Sequence, residues 1–304
     1  MPGSCLSRQS RSRWRQCSQF GVQVVTSLAC WLGVDSRAPS SIYLVSDSRV
    51  TSVDGTRIAT QQKVFTSAAS PDCFVFSGDV AVPAAVLNRV SRDATTPKTA
   101  AGRHCRLVEA TSADFGSALS REFEILHASR DGEGIGTRFY LWRTSFAPVS
   151  GMNDLPEALP TDSVLALALG SGSAPVLRQD VKWRNSDVGR TSRAVFSAFC
   201  DALVSGADPY SGPPPQLAAL YRKGNGEDIG VVFGGRCYLR GREISPQDAG
   251  AEIVEWRNEL FERCDPANGA RLKGAQRHAR PRQLAGQGAL DPARSLSHQR
   301  DTST

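Results

Sequence analysis

The sequence predicts an α+β fold in which two antiparallel sheets stack and helices cover both outer faces, a four-layer αββα sandwich. Three observations lead there. Strand-like apolar runs come in neighbouring pairs joined by short turns, as antiparallel strands do. Helical periodicity falls in two blocks rather than between every pair of strands. Of the 304 residues, 40% are apolar, enough for an extended core.

The elements are expected as follows. A first strand covers 24–33 and a second 42–46, with Asp35–Ser41 as the turn between them. Val53-Asp54-Gly55-Thr56 reads as a hairpin turn, Val64-Phe65 begins a short strand, and Cys73–Gly78 is another. Val82, Val86, Leu87 and Val90 share one helical face over 80–92. Phe115, Leu119, Phe123 and Leu126 predict a second helix over 113–127, which leaves Thr95–Ser112 as a long loop. Arg138–Arg143 alternates as a strand, Gly151–Pro160 reads as a loop, and the apolar run Val164–Leu169 ends at Gly170-Ser171-Gly172-Ser173. Val195, Phe196, Phe199 and Leu203 predict a helix over 191–205, followed by a turn at Asp208–Pro215. Gln216–Arg222 and Ile229–Leu239 form a hairpin around 223–228. A last helix over 249–263 buries Ile253, Trp256, Leu260 and Phe261. Neither 1–22 nor the chain beyond Cys264 offers a periodic apolar face, so stable structure is expected in neither. The chain thus divides into an extension at 1–25 (a propeptide or a mis-assigned start), a domain at 26–264 and a basic tail at 265–304.

The net charge of +6 is concentrated in the ends. Arg8, Arg11, Arg13 and Arg15 face no acid within 1–25, and seven Lys or Arg outnumber Asp265, Asp291 and Asp301 in the tail, so the middle is slightly acidic. A basic tail without interleaved aromatics reads as solvated, and nucleic acid is not expected as a partner. No apolar run reaches the ~20 residues that span a bilayer, and the first 25 lack the apolar core of a secretory signal. The eight cysteines form no C-x-x-C pair and no Cys/His ligand spacing, so they are expected to be reduced core thiols in a cytoplasmic protein.

The chemistry-bearing residues cluster at the start of the domain. Thr26 opens a strand, Asp47 ends the next, and Lys63 follows sixteen residues later. A threonine becomes a nucleophile only with a base beside it, and its own free α-amine, with a pKa near ~8, is the nearest one. Taken singly, Thr26 is an ordinary β-branched strand residue, Asp47 and Lys63 an ordinary ion pair, and the Gly/Ser-rich segments plain turns.

Together these segments resemble the proteasome β-subunit superfamily of N-terminal-nucleophile (Ntn) hydrolases, and also the peptidase subunit of the bacterial ATP-dependent two-component protease. The similarity covers about residues 26–245. Val45-Ser46-Asp47-Ser48-Arg49-Val50-Thr51 looks like the family's Ala-Ala-Asp-Ser-Arg-Ala-Thr segment, and Lys63-Val64 sits at the spacing of its lysine. Ser77-Gly78-Asp79 is similar to its oxyanion turn, Gly170-Ser171-Gly172-Ser173 to its Gly-Ser-Gly-Ser turn, and Asp208-Pro209-Tyr210-Ser211-Gly212 to its Asp-x-Tyr-Ser-Gly motif. The resemblance implies that Thr26 attacks a peptide or amide carbonyl. Lys63 would favour its alkoxide and keep the nearby amine neutral, and Asp47 would hold Lys63. Gly78 N–H would face the oxyanion, and Ser171, Asp208 and Ser211 would orient the α-amine. It also implies a homo-oligomeric ring, requires no metal and no organic cofactor, and leaves an ATPase partner open. Two other functions fit the same fold: a non-catalytic proteasome-like subunit that builds a shell or binds a partner, and an Ntn amidase for small molecules.

The chain departs from the family in having Val25 before Thr26, where Gly is usual, and in carrying Asp79 beside the oxyanion turn. As written, Thr26 has no free amine. Either a propeptide is cleaved, or a GTG codon at Val24 or Val25 is the true initiator and the resulting Met is removed.

Overall fold

The computed structural model describes residues 26–51, 56–114 and 121–277. The fold is mixed α+β, with largely antiparallel sheets and, among the described residues, five α-helices. The elements run β1 (Leu28–Val34), β2 (Pro39–Ser46), β3 (Arg49–Thr51), β4 (Arg57–Thr60), β5 (Val64–Thr66) and β6 (Asp72–Gly78). Helices α1 (Ala81–Val90) and α2 (Ala100–Asp114) come next, then β7 (Phe123–Asp131), β8 (Arg138–Ala147), β9 (Gly151–Pro156) and β10 (Leu165–Leu169). Helices α3 (Ser173–Arg184) and α4 (Ser192–Ser205) lead into β11 (Gln216–Tyr221), β12 (Glu227–Phe233), β13 (Arg236–Leu239) and β14 (Arg242–Ile244). Helix α5 (Pro246–Ala251) and β15 (Glu255–Asn258) follow.

One sheet has the order β10-β1-β2-β11-β12-β13-β14, with β15 running parallel to β12. The other is β5-β6-β7-β8-β9, and β3 pairs with β4 alone. Strand β1 is buried on both faces. Leu28, Cys30 and Leu32 join Leu44, Val64, Val75, Leu126 and Leu220 in one apolar cluster, which draws on both sheets. Ala29 and Trp31 point the other way, into a cluster with Val176, Phe196, Phe199 and Leu203 of α3 and α4. A third cluster joins Phe65, Phe74, Phe76, Phe123 and Ile125 to Val82, Val86, Leu87 and Leu107 of α1 and α2.

Several segments differ from expectation. Residues 100–114 are a helix rather than a loop, and 123–131 are a strand rather than the end of a helix. The inward face of α2 carries Ala100, Arg103, His104, Leu107 and Thr111, all buried. The helical period is present, but polar side chains occupy it, so hydropathy does not display it. Arg103 lies within 3.0 Å of both Asp72 carboxylate oxygens. His104 meets His127 nitrogen to nitrogen at 3.1 Å and Asp154 at 3.0 Å. Helix α3 escapes hydropathy because its buried positions, Pro175, Val176, Asp180 and Trp183, include an acid, while Leu177 and Val181 face outward. Residues 151–156 form an edge strand rather than a loop. Its last four residues are exposed, so its backbone pairing with β8 leaves no apolar alternation.

The helix expected over 249–263 is instead α5, capped by Ser245 and started by Pro246, followed by β15. Ile253 is fully exposed, while Trp256 enters an apolar cluster with Val232, Cys237 and Ala249. Past Cys264 the described chain continues in turns. Cys264 bridges to Arg271, and Cys237 Sγ donates to Pro266 O at 2.9 Å. Residues 53–55 of the expected hairpin turn, 115–120 of the expected helix over 113–127, the segment 1–22 and the chain beyond 277 lie outside the described residues. Among the described residues no helix is long and apolar enough to cross a membrane.

The buried network under α2 makes stability depend on pH. Burial opposes the charge of Asp72, but donors from His127, Ser129 and Ser70 outweigh it and hold its carboxyl below the usual range. Burial also holds the His127 imidazole below its ordinary value. Both groups bind fewer protons folded than unfolded, so both contributions are present at high pH and lost as pH falls. The His127 contribution fades below its ordinary 6.5. That of Asp72 follows below its ordinary 3.8. Urea midpoints are expected to fall steadily from about pH 7 to about pH 3. Asp72→Asn is expected to cost about 3 kcal/mol near neutral pH, because it strands the buried Arg103 guanidinium. A midpoint independent of pH over that interval would refute the assignment.

Candidate active site

Thr26 sits two residues before β1, and the pairing of Leu28 with Ser46 carries Asp47 back alongside Ser27. Asp47 N donates to Ser27 O at 3.0 Å. Lys63 immediately precedes β5, in the other sheet, so the two sheets deliver these side chains to one point. Lys63 Nζ donates to Thr26 Oγ1 at 3.0 Å, to Asp47 Oδ1 at 2.8 Å and to Arg49 O at 2.7 Å. Its three protons are therefore all engaged. Asp47 Oδ1 also accepts from Ser27 N at 3.1 Å, and Oδ2 accepts from Arg49 N at 3.0 Å and Gly212 N at 3.1 Å. Thr26 and Asp47 are 0% exposed and Lys63 1%. A bare ion pair at such depth would not offset its desolvation, and the three backbone donors to Asp47 supply the difference.

A second group gathers at the Thr26 nitrogen. Thr26 N donates to Ser171 Oγ at 3.3 Å, and Ser171 Oγ donates to Asp208 Oδ2 at 2.8 Å. Ser211 Oγ donates to the same oxygen at 2.5 Å, and Tyr210 N to Asp208 Oδ1 at 3.2 Å. Ser171 Oγ also lies 3.5 Å from Thr26 O, but its shorter bond is to the Asp208 carboxylate, and with the proton there its lone pairs are left to Thr26 N. That arrangement suits a nitrogen that gains a proton. The turn beneath is tight: Gly170 has φ +84°, and a Cβ there would lie 2.0 Å from Thr26 O. The loop bearing Asp208 and Ser211 is tied to the chain after Asp47. Ser48 Oγ donates to Pro214 O at 2.7 Å, Thr51 Oγ1 to Tyr210 O at 2.8 Å, and Arg49 to Pro209 O at 3.2 Å.

Gly78 ends β6 with φ +93°, and a Cβ there would lie 2.3 Å from Glu122 O. Phe76 N donates to Lys63 O at 3.3 Å, whereas Asp79 N donates to Glu122 O at 2.9 Å. N–H groups alternate sides along a strand, so Gly78 N–H points as Phe76 N–H does, toward the chain that carries Lys63. The half-buried Asp79 follows it. Thus Lys63 contacts both Thr26 and Asp47, Ser171, Asp208 and Ser211 form a chain from the Thr26 nitrogen, and Gly78 lies two residues past Phe76, whose N–H reaches Lys63 O.

Sequence reasoning does not single out Gln216. It opens β11 opposite Ser46 and is 1% exposed. Its Oε1 accepts from Lys63 N at 2.9 Å and Val64 N at 3.3 Å. Its Nε2 faces Gln61 O at 2.6 Å, Ser48 Oγ at 3.0 Å and Asp47 O at 3.3 Å. The hint in the sequence is one amide at the head of the otherwise apolar run Gln216-Leu217-Ala218-Ala219-Leu220. Among the described residues, no group of three His, Cys, Asp or Glu is arranged to hold a metal ion.

No protein-family model matches the chain, and neither does any curated protein sequence. Among solved structures, one described as Thiobacillus denitrificans BPH in complex with epoxomicin is similar at a TM-score of 0.42 and 14% identity, over 65% of this chain and 100% of that one. So remote a likeness says nothing about the chemistry of this chain.

Proposed function

We propose that this protein is a proteasome-like threonine hydrolase of the N-terminal-nucleophile type, built as a four-layer αββα sandwich and cleaving peptide or amide bonds. The three apolar clusters support the layering, with one drawing on both sheets and one on each helix pair. One observation carries the chemistry: a buried lysine bridges Thr26 Oγ1 and Asp47, while Ser171 is turned to accept from Thr26 N. In a chain that begins at Thr26, the α-amine takes the hydroxyl proton as Oγ1 attacks the substrate carbonyl. The Lys63 charge favours the alkoxide, and Ser171, polarised by Asp208, holds the ammonium that forms. Gly78 N–H receives the oxyanion, an interaction typically worth about 3 kcal/mol in the transition state. The ammonium then protonates the leaving amine, and water hydrolyses the Thr26 ester with the amine again as base. The cytoplasmic setting is part of the same proposal, and the buried thiols Cys30 and Cys73 are free. The homo-oligomeric ring is part of the same proposal.

A second reading, a non-catalytic shell subunit, draws on one fact: Thr26 is fully buried in the 304-residue chain. Incubation of a chain starting at Thr26 with a peptide epoxyketone separates the two. A single adduct on Thr26 by mass spectrometry, absent from Thr26→Ala, is the expected result. A folded chain that takes no adduct and cleaves nothing in a broad peptide and amide panel favours the shell.

A further inference from the structure

We propose that Gln216 is a positioning residue that sets where Lys63 Nζ stands between Thr26 and Asp47, an inference that rests on the hydrolase reading above. The Gln216 amide joins the two chain segments that carry the pair. On one side it holds the backbone N–H groups of Lys63 and Val64, and on the other the Asp47 carbonyl, Ser48 Oγ and the Gln61 carbonyl. The orientation of the amide is fixed by its surroundings. N–H donors face one end and acceptors the other, so a flipped amide would set donor against donor. These segments belong to different sheets, and among the described residues no ladder hydrogen bond connects β2 to β5. Backbone joins them only as far as Gln61, through the β3–β4 pair and the bond from Gln61 N to Ser48 O at 2.9 Å. Gln216 also pairs through its backbone with Ser46, the residue before Asp47. Its side chain carries that link two residues further, to the N–H groups of Lys63 and Val64 at the entry of β5, and the Lys63 side chain starts from that entry.

The consequence is chemical as well as structural. Lys63 Nζ must reach three acceptors at 2.7–3.0 Å at once. A shift of its backbone by about 1 Å would break at least one of these contacts, and misplacement on that scale typically costs about 100-fold in rate. Lys63 Nζ meets Thr26 Oγ1, the attacking atom, so the loss falls on the chemical step.

The test uses chains beginning at Thr26: wild type, Gln216→Met, Gln216→Glu and, for assignment, Lys63→Met. Met matches the volume of Gln and removes every polar contact. Glu keeps the acceptor for Lys63 N and Val64 N but sets an oxygen against the Asp47 and Gln61 carbonyls. Two readouts are taken on folded protein: the rate and affinity constants for epoxyketone labelling, and the nitrogen-15 signal of the Lys63 ammonium, assigned by its absence in Lys63→Met. In Gln216→Met the maximal labelling rate is expected to fall about 10- to 100-fold with the inhibitor affinity within about twofold. The ammonium signal should be lost to exchange, while the amides of Phe74 and Val75 stay protected. A maximal rate within about twofold of wild type, with the ammonium signal retained, would overturn the proposal. If wild type itself is not labelled, the hydrolase reading fails, and the ammonium signal alone decides Gln216: its loss supports the positioning role and its retention refutes it. If Gln216→Met does not fold, Gln216→Glu is read by the same two measures.

Discussion

A 304-residue chain kept intact from Met1 is expected to hydrolyse nothing and to take no electrophile at Thr26, whereas the chain beginning at Thr26 does both. One feature requires this. An amide nitrogen between Val25 and Thr26 has no basic lone pair, so it cannot take the proton from Oγ1, and loss of a general base typically costs about 10²–10⁴-fold. The hydrogen bond from Thr26 N to Ser171 persists as an amide contact, so the site is assembled but lacks its base. The comparison is peptide hydrolysis and epoxyketone labelling by the two chains, with the Met1 chain verified intact by mass spectrometry before and after. Equal activity would rule out the amine as base, and with it the whole mechanism. Removal of residues 1–25 during incubation, followed by activity, would identify a self-processing precursor. An inert but stable Met1 chain fits a start at Thr26.

The elements that hydropathy makes legible are those whose buried faces are apolar. β1 and β2 show themselves through Trp31, Leu32, Ile42 and Leu44, and α4 through Val195, Phe196, Phe199 and Leu203. The elements that escape it bury polar groups or bury nothing. Helix α2 turns Arg103 and His104 inward onto Asp72 and Asp154, α3 places Asp180 in its apolar stripe, and β9 is held by backbone pairing with β8 and by the polar contacts of Asp154 with His104 and Thr144. The false helix over 249–263 arises because Trp256, Leu260 and Phe261 recur at helical spacing, although β15 and a turn with Phe261 at φ +62° place them. Candidate site residues are legible through the family-like segments that carry them, since taken singly Thr26, Asp47 and Lys63 read as ordinary residues. Gln216 and Arg49 are not, because what they brace or offer is backbone. Gln216 holds N–H and C=O groups with its side-chain amide, and Arg49 lends its carbonyl to Lys63 and its N–H to Asp47.

Removing the Lys63 charge is expected to abolish labelling and to destabilise the fold, and the two effects can be separated. Lys63→Met leaves the Asp47 carboxylate buried with only Ser27 N, Arg49 N and Gly212 N for company. Breaking a buried pair in this way typically costs about 3–5 kcal/mol, and the backbone donors place this case toward the lower end. Lys63→Arg keeps the charge, but its planar fork cannot converge on Thr26 Oγ1, Asp47 Oδ1 and Arg49 O from one atom, so labelling should also fail. The double variant Lys63→Met with Asp47→Asn removes both charges together. Its cost should fall short of the sum of the single variants by about 1–3 kcal/mol, the coupling energy of groups in direct contact. Its labelling should remain absent, because nothing then favours the Thr26 alkoxide. Urea denaturation and epoxyketone labelling of the single and double variants beside wild type provide the measurement. A double variant that regains labelling along with stability would show that the pair is scaffold alone. One that regains stability and stays inert would assign the Lys63 charge to the reaction itself.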